Sequence, residues 1–186
     1  MGLRDRRQDR REERQEDRQE FGVGGSAVHY QMREKLVSIG DDFWIETDRG
    51  ERAFKVNGKA LRVRSTLVFE DPHGNEVARI QDRPVRVREV MEVEGPDGST
   101  MATIKKAMIT PLRERFSIAT ASGMEFEAQG NLVDHEYEIS NGGDKIAEVS
   151  KKWFRVRDTY GVEIEPGQDP ILILTATVAI DMMTHD

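Results

Sequence analysis

Residues 91–104 read MEVEGPDGSTMATI, and this stretch contains the unit from which most of the chain is built. Met91 and Val93 alternate with two glutamates, which is typical of a β-strand with one buried and one exposed face. The central GPDG provides proline and aspartate to begin a tight turn and glycine to adopt a positive φ. The stretch therefore predicts a strand, a turn and a second strand.

The same hairpin unit recurs along the chain, each time with a glycine-containing turn between two strands. The five predicted hairpins span residues 43–56, 67–80, 91–104, 116–129 and 137–149. Further extended stretches at 61–64, 85–87 and 162–164 bring the predicted number of strands close to twelve. Because so many antiparallel strands need paired or protected edges, the pattern predicts an all-β barrel or sandwich.

One segment near the C-terminus lacks the alternation of a strand. Residues 171–180 read ILILTATVAI and carry no charge, so they are expected to be buried on every side. Their β-branched residues are compatible with a strand, but Asp169 can cap a helix and Pro170 suits its first position. At about 1.5 Å per residue the segment is too short to span a bilayer core of about 30 Å. The sequence predicts a core helix and no transmembrane span.

The N-terminal segment differs from the rest in composition. Residues 4–20 contain only Arg, Asp, Glu and Gln, with seven arginines and seven acidic residues, so the segment has no apolar face to bury. Glycines at 22, 24 and 25 follow it. We predict a charged, disordered tail with a glycine-rich joint over residues 1–25 and a single barrel domain over residues 26–186.

Charge and composition exclude several classes of function. The 28 basic and 35 acidic residues give a net charge of -7, which disfavours sequence-independent binding to nucleic acid. The absence of cysteine excludes disulfides, thiolate nucleophiles and thiolate metal sites. The N-terminus lacks the apolar core of a signal peptide, and its many acidic residues argue against an organellar transit peptide. We expect a cytoplasmic protein. In one alternative, it binds peripherally to a membrane.

The residues that most often carry chemistry form no recognisable motif. The four histidines, His29, His73, His135 and His185, are scattered and lack the spacing of a zinc site, so we expect them on the surface or in turns. The serines lie in no nucleophile-elbow sequence. We therefore expect no enzyme activity, no catalytic residue, no metal site and no cofactor.

The C-terminal part of the chain contains a recognisable series of short motifs. They are residues 146–153 (IAEVSKKW), residues 158–164 (DTYGVEI) and Asp169-Pro170 before the apolar helix. With these motifs the chain resembles the LURP-one-related family. Gly58-Lys59, the turn at 71–74 and the strand end at 104–106 fit the same family pattern. The resemblance extends from about Tyr30 to Met183, nearly all of the chain outside the tail.

This resemblance implies a closed antiparallel barrel of about twelve strands that encloses the hydrophobic C-terminal helix. The fold is shared with the tubby C-terminal domain and the phospholipid scramblases. Tubby-like domains are associated with phosphoinositide binding, and scramblases with calcium and lipid movement. This chain has no cysteine and no long membrane helix, whereas a scramblase is expected to have a cysteine-rich lipidation segment and such a helix. Fold relatives host different activities, so function is not transferred with the fold.

Three Arg-Val-Arg motifs provide the candidate site for an anion or a lipid headgroup. On a strand, each motif places two arginines on one face. If the three strands are neighbours, six guanidinium groups form a patch that can bind phosphate through bidentate hydrogen bonds. The candidate residues are Arg62, Arg64, Arg86, Arg88, Arg155 and Arg157, to which Lys105, Lys106, Lys151 and Lys152 could add. The alternative is that these arginines are solvated and pair with carboxylates such as Glu89, Glu92 and Glu94.

Two hypotheses about function remain open at this point. In the first, the protein is a non-enzymatic binding module whose arginines meet an anionic phospholipid headgroup or a phosphorylated small ligand. In the second, it is a structural or regulatory adaptor that binds a protein partner and no lipid. The family resemblance and the Arg-Val-Arg motifs together favour the first.

Overall fold

The computed structural model describes residues 27–33, 42–57, 66–83, 90–107, 115–153 and 159–185. These residues form twelve β-strands and one α-helix. In chain order they are β1 (Val28–Arg33), β2 (Phe43–Thr47), β3 (Arg52–Asn57), β4 (Thr66–Glu70), β5 (Glu76–Asp82), β6 (Val90–Glu94), β7 (Thr100–Ala107), β8 (Arg115–Thr120), β9 (Glu125–Asn131), β10 (Glu136–Asn141), β11 (Asp144–Ser150), β12 (Thr159–Ile164) and α1 (Pro170–His185).

The strands form a closed barrel. Each strand pairs antiparallel with its neighbours in sequence from β1 through to β12. The first and last strands also pair with each other, with Val28 opposite Ile164 and Arg33 opposite Thr159. This pairing removes the two edges that an open sheet would expose. The predicted all-β barrel of twelve antiparallel strands is confirmed.

The five predicted hairpins are all present, as β2–β3, β4–β5, β6–β7, β8–β9 and β10–β11. The β4–β5 turn shows why local sequence specifies them: Asp71 Oδ1 accepts hydrogen bonds from the amides of His73 and Asn75, at 2.8 and 2.9 Å. Gly74 completes this turn at φ +87°, a conformation that glycine adopts without strain. The stretch predicted at 162–164 lies in β12. Those predicted at 61–64 and 85–87, like the tail predicted over 1–25, lie outside the described residues.

Strand β1 is the element for which the sequence provided no explicit prediction. It begins before the first predicted hairpin and pairs with β12, which lies more than a hundred residues along the chain. Within it, the buried aromatic and apolar residues Tyr30 and Met32 alternate in sequence with the polar residues His29 and Gln31. This alternation is the signal that could have revealed the strand.

The apolar C-terminal segment is a helix, as predicted. Its first turn is capped by Asp169, whose Oδ1 accepts a hydrogen bond from the Ile171 amide at 2.9 Å and whose carbonyl accepts one from Ile173 at 3.1 Å. Pro170 occupies the first helical position. Residues 173–183 are buried, and α1 packs against β5, β6, β7 and β12. The helix therefore lies inside the barrel, and it continues past the predicted segment to His185.

The two ends of the barrel differ in what they carry. Helix α1 starts next to the turns that join β2 to β3, β4 to β5, β6 to β7, β8 to β9 and β10 to β11. The opposite end, called the distal rim below, is formed by the ends of the odd-numbered strands β1 to β11 and the starts of the even-numbered strands β2 to β12. At about 1.5 Å per residue, the 16-residue helix is about 24 Å long and its C-terminal turns reach the distal rim.

Candidate functional site

The six candidate arginines lie outside the described residues, but the strand ends next to them are described and lie at one end of the barrel. Arg64 precedes the first residue of β4 by two positions, Arg88 precedes that of β6 by two, and Arg157 precedes that of β12 by two. Those three first residues, Thr66, Val90 and Thr159, all belong to the distal rim. The topology thus brings the strand ends next to all three motifs to the same rim.

The three strand starts are not equally close to one another. Only β5 separates β4 from β6, so at about 4.8 Å per strand their starts lie about 10 Å apart. Strand β12 is four strands away from β4, with β1, β2 and β3 between them, or about 19 Å along the barrel wall. The starts of β4 and β6, which follow two of the motifs, are therefore closer to each other than either is to the start of β12, which follows the third.

Two of the carboxylates expected to pair with the candidate arginines bind another arginine. Arg83 Nε lies 2.7 Å from Glu92 Oε2, and Arg83 Nη2 lies 2.9 Å from Glu94 Oε1. The hydrogen bond with Glu92 is the main cause that raises the pKa of the Arg83 guanidinium, and the negative charges of Glu92 and Glu94 raise it further. Arg83 is the residue after β5, at the distal rim, and it engages both carboxylates.

The four lysines expected to add positive charge all lie close to the distal rim. Lys105 and Lys106 lie near the end of strand β7, and Lys151 and Lys152 follow the end of β11. Lys105 is exposed, whereas the Lys106 ammonium lies 5.9 Å from the centre of the Phe116 ring. The two lysine pairs therefore lie at the same end of two hairpins, β6–β7 and β10–β11.

Glu136, the first residue of β10, binds the chain just after β11 through four donors. Its carboxylate accepts hydrogen bonds from the Ser150 hydroxyl at 3.1 and 3.0 Å, from the Lys151 amide at 3.0 Å and from the Lys152 amide at 3.2 Å. The Lys152 ammonium lies 2.9 Å from Oε2. Burial alone would raise the pKa of Glu136, but the hydrogen bonds from Lys152, Ser150 and Lys151 outweigh it and lower that pKa.

A second cluster of polar groups is buried inside the barrel at the same end. His135 Nε2 lies 2.6 Å from Asp181 Oδ1, and the Tyr160 hydroxyl donates a hydrogen bond of 2.8 Å to Asp181 Oδ2. The His135 and Tyr160 rings stack with their centres 4.3 Å apart. Burial and then the charge of Asp181 raise the pKa of Tyr137 well above its usual range, while a hydrogen bond with Thr177 acts in the opposite direction. The cluster joins the end of α1 to β10 and β12.

The connection between β9 and β10 positions His135 for this contact. His135 has φ +53°, and it is the one non-glycine residue with a positive φ in the part of the chain that the structure describes. Gly130 lies opposite Tyr137 in the β9–β10 ladder at φ +148°. A Cβ atom on Gly130 would lie 2.5 Å from the Glu136 carbonyl oxygen, so only glycine fits this close approach.

The expectation that all four histidines lie at the surface or in turns is wrong for His29 and incomplete for His135. His29 is buried on β1 and its Nε2 lies 2.9 Å from Glu163 Oε2 on β12. His135 is in a turn but is fully buried. His73 is exposed in its turn, as expected. Asp181 was the available signal, because a lone carboxylate at the end of an otherwise apolar helix needs a buried partner.

Across the ranges that the structure describes, no group of three or more histidine or acidic side chains is arranged to hold a metal ion. Within the same ranges, no helix is both long enough and apolar enough to cross a membrane. Because His135 and Tyr160 are fully buried, we interpret their contacts with Asp181 as structural contacts that hold the end of α1 against the barrel wall.

Comparison with known proteins decides the family. The sequence profile of the family described as LURP-one-related matches residues 28–181. The chain belongs to the LURP-one-related family. The matched range begins at the first residue of β1 and ends at Asp181, so in this LURP-one-related chain it contains all twelve strands and most of α1.

This LURP-one-related chain is also similar to two known proteins. The chain is 25% identical over 155 residues to the uncharacterised protein YxjI of Bacillus subtilis strain 168, which covers 83% of this chain and 93% of the relative. Its fold is similar to the X-ray structure of the Arabidopsis thaliana protein AT5G01750, with a TM-score of 0.64 and 15% identity. That comparison covers 86% of this chain and 92% of the plant protein, and it supports the fold alone.

Proposed function

We propose that this LURP-one-related chain is a non-enzymatic module that binds an anionic group at its distal rim. The group is the headgroup of an anionic phospholipid or the phosphate of a small ligand. One observation carries the proposal: each of the three Arg-Val-Arg motifs ends two positions before a strand that starts at this rim. Arginine suits this role because its planar guanidinium can form two parallel hydrogen bonds with a phosphate.

The charges of the described residues support the same end of the barrel. Arg83 at this rim binds Glu92 and Glu94, which lie further along β6, and Glu136 at the rim is bound by Lys152 and the backbone next to it. Carboxylates that are already engaged repel an incoming anion less than isolated ones do. The burial of the His135, Asp181 and Tyr160 cluster favours a structural role for these groups. In a cell, such a module would be cytoplasmic and peripheral at the membrane.

Vesicle flotation tests the proposal. The full chain is mixed with vesicles of phosphatidylcholine alone, or of phosphatidylcholine with phosphatidic acid, at low salt and at about 0.15 M salt. We expect flotation with the phosphatidic acid vesicles only, weaker at the higher salt concentration. The variant with Arg86→Glu and Arg88→Glu should lose most of this flotation.

A matched variant at the opposite end of the barrel controls for the change in net charge. Arg49 and Arg52 are exposed at the β2–β3 turn, so Arg49→Glu with Arg52→Glu changes the net charge equally but leaves the distal rim intact. This control should float like the wild type. A wild type that ignores the anionic vesicles at low salt contradicts the lipid form of the proposal and favours a protein-binding adaptor. Equal flotation of the two variants contradicts the assignment to the arginines.

A further inference from the structure

The donors around Glu136 are arranged as an anion-binding site. Two consecutive amides, those of Lys151 and Lys152, point at one carboxylate oxygen, at 3.0 and 3.2 Å. The Ser150 hydroxyl contacts both oxygens, and the Lys152 ammonium lies 2.9 Å from Oε2. Successive amides with a cation beside them form the kind of concavity that binds phosphate in other proteins. These four donors are called the anion seat below.

The occupant of the anion seat is a side chain of the protein itself. The hydrogen bonds in the seat lower the pKa of Glu136 despite its burial, so the seat favours a negative charge. A carboxylate supplies two oxygens and one charge, whereas a phosphate group supplies three oxygens and about -1.5 to -2 charges at pH 7. A phosphate group therefore matches the four donors better than the carboxylate that fills them.

The seat is accessible from solvent on one side. The Ser150 side chain is almost fully buried and forms the floor, while the Lys152 side chain is 79% exposed. The Glu136 side chain lies between these extremes at 24% exposure. An anion that approaches along Lys152 can replace the carboxylate without any strand having to separate.

We infer that the anion seat formed by Ser150, Lys151 and Lys152 binds phosphate groups in competition with Glu136, which acts as an internal, autoinhibitory occupant. The inference deepens the proposed function and rests on it in one respect, the anionic nature of the ligand at the distal rim. It uses none of the six candidate arginines. Glu136 sets the threshold for binding: if the seat is closed about nine-tenths of the time, the apparent affinity for phosphate is about tenfold weaker than that of the open seat.

Amide chemical shifts in two-dimensional NMR test the inference on the full chain. Inorganic phosphate is titrated into the wild type and into Glu136→Ser, with sodium chloride at matched ionic strength as the reference. In Glu136→Ser we expect saturable shifts of the Lys151 and Lys152 amides, with an affinity about tenfold higher than in the wild type. Adding Lys152→Ala should abolish the gain. Adding Lys145→Ala, which removes a lysine bound to carboxylates at the opposite end of the barrel, should not.

Several outcomes overturn the inference. It fails if Glu136→Ser binds phosphate no better than the wild type, or if Lys152→Ala leaves the gain unchanged. Should Glu136→Ser not fold, as judged by its circular dichroism, Glu136→Gln takes its place, because the amide keeps the shape but lacks the competing charge. Glu136→Gln should then bind more tightly than the wild type, and equal binding overturns the inference.

Vesicles containing phosphatidic acid distinguish the two sources of phosphate. Flotation of Glu136→Ser that exceeds wild-type flotation supports a lipid headgroup as the ligand. A gain for inorganic phosphate with unchanged flotation supports a soluble phosphorylated ligand. The arginine variants report on the proposed function separately: if they fail to affect flotation while the seat responds to phosphate, the arginine assignment is wrong and the seat stands.

Discussion

Replacing Asp181 with asparagine should loosen the helix inside the barrel by a measurable amount. Asp181 is 2% exposed and its two carboxylate oxygens face His135 Nε2 at 2.6 Å and the Tyr160 hydroxyl at 2.8 Å. Asparagine keeps the shape but has one oxygen and one NH2 group, so one of the two donors then faces another donor. Removing one partner of a buried pair costs about 3–5 kcal/mol.

Because asparagine keeps one acceptor, we expect a loss near the lower limit, about 3 kcal/mol in the free energy of unfolding. For a domain of this size, about 1 kcal/mol corresponds to about 2–4 °C, so Tm should fall by about 6–12 °C. Urea unfolding followed by circular dichroism measures the change. Tyr160→Phe removes one donor to the same carboxylate, and its effect should not add to that of Asp181→Asn.

A neighbouring aspartate provides the control. Asp134 is exposed in the turn that leads to His135, so Asp134→Asn should change stability by no more than about 0.5 kcal/mol. The reasoning is refuted if Asp181→Asn lies within about 1 kcal/mol of the wild type. That result would mean that the contacts between α1 and the distal rim do not hold the helix in place.

Three further predictions test other parts of the structure. The folded pKa of Glu136 is lowered, so its contribution to stability is present above the unfolded pKa of about 4.3 and is lost as pH falls through the folded pKa. Urea unfolding of Glu136→Gln should therefore approach that of the wild type only in acid, and the exposed control Glu125→Gln should show no such trend. Gly130→Ala should lower the free energy of unfolding by more than about 2 kcal/mol, because the new Cβ meets the backbone of β10. In Gly123→Ala the Cβ meets open space, so only the strain of the positive φ should lower that free energy, by about 1–2 kcal/mol. Equal thermal shifts for the two variants would contradict the close approach at Gly130. Leu174→Asp buries an unpaired charge in the barrel and should abolish folding, and a native circular dichroism spectrum from this variant would exclude the enclosed helix.

The elements that could be predicted from the sequence are those whose causes are local. The Asp71 turn closes through bonds within five residues, and Asp169 caps α1 through the amide of Ile171. Such patterns are readable from short windows because the interacting residues are adjacent in the chain. The closure of the barrel around the helix followed from the family resemblance and not from any local pattern.

The parts that escaped prediction depend on contacts between distant residues. Strand β1 is stabilised by pairing with β12, the last strand in the sequence, and the buried His29 lies opposite Glu163 of that strand. The turn that contains His135 is an ordinary polar connection in sequence, and its burial comes from Asp181 and Tyr160. The anion seat likewise joins the first residue of β10 to donors at the end of β11, 14 to 16 residues further along the chain. The six candidate arginines remain a prediction.

Amide chemical shifts recorded during a titration with glycerol 3-phosphate, the soluble part of phosphatidic acid without its acyl chains, test most directly whether anions bind at the distal rim. The account predicts saturable shifts at the strand ends of this rim, including the amides of Asn57, Thr66, Val90, Ser150 and Thr159. It also predicts unchanged amides in the turns at 48–50 and 71–74, at the opposite end. Saturable shifts confined to those turns, or no saturable shift anywhere, would contradict it.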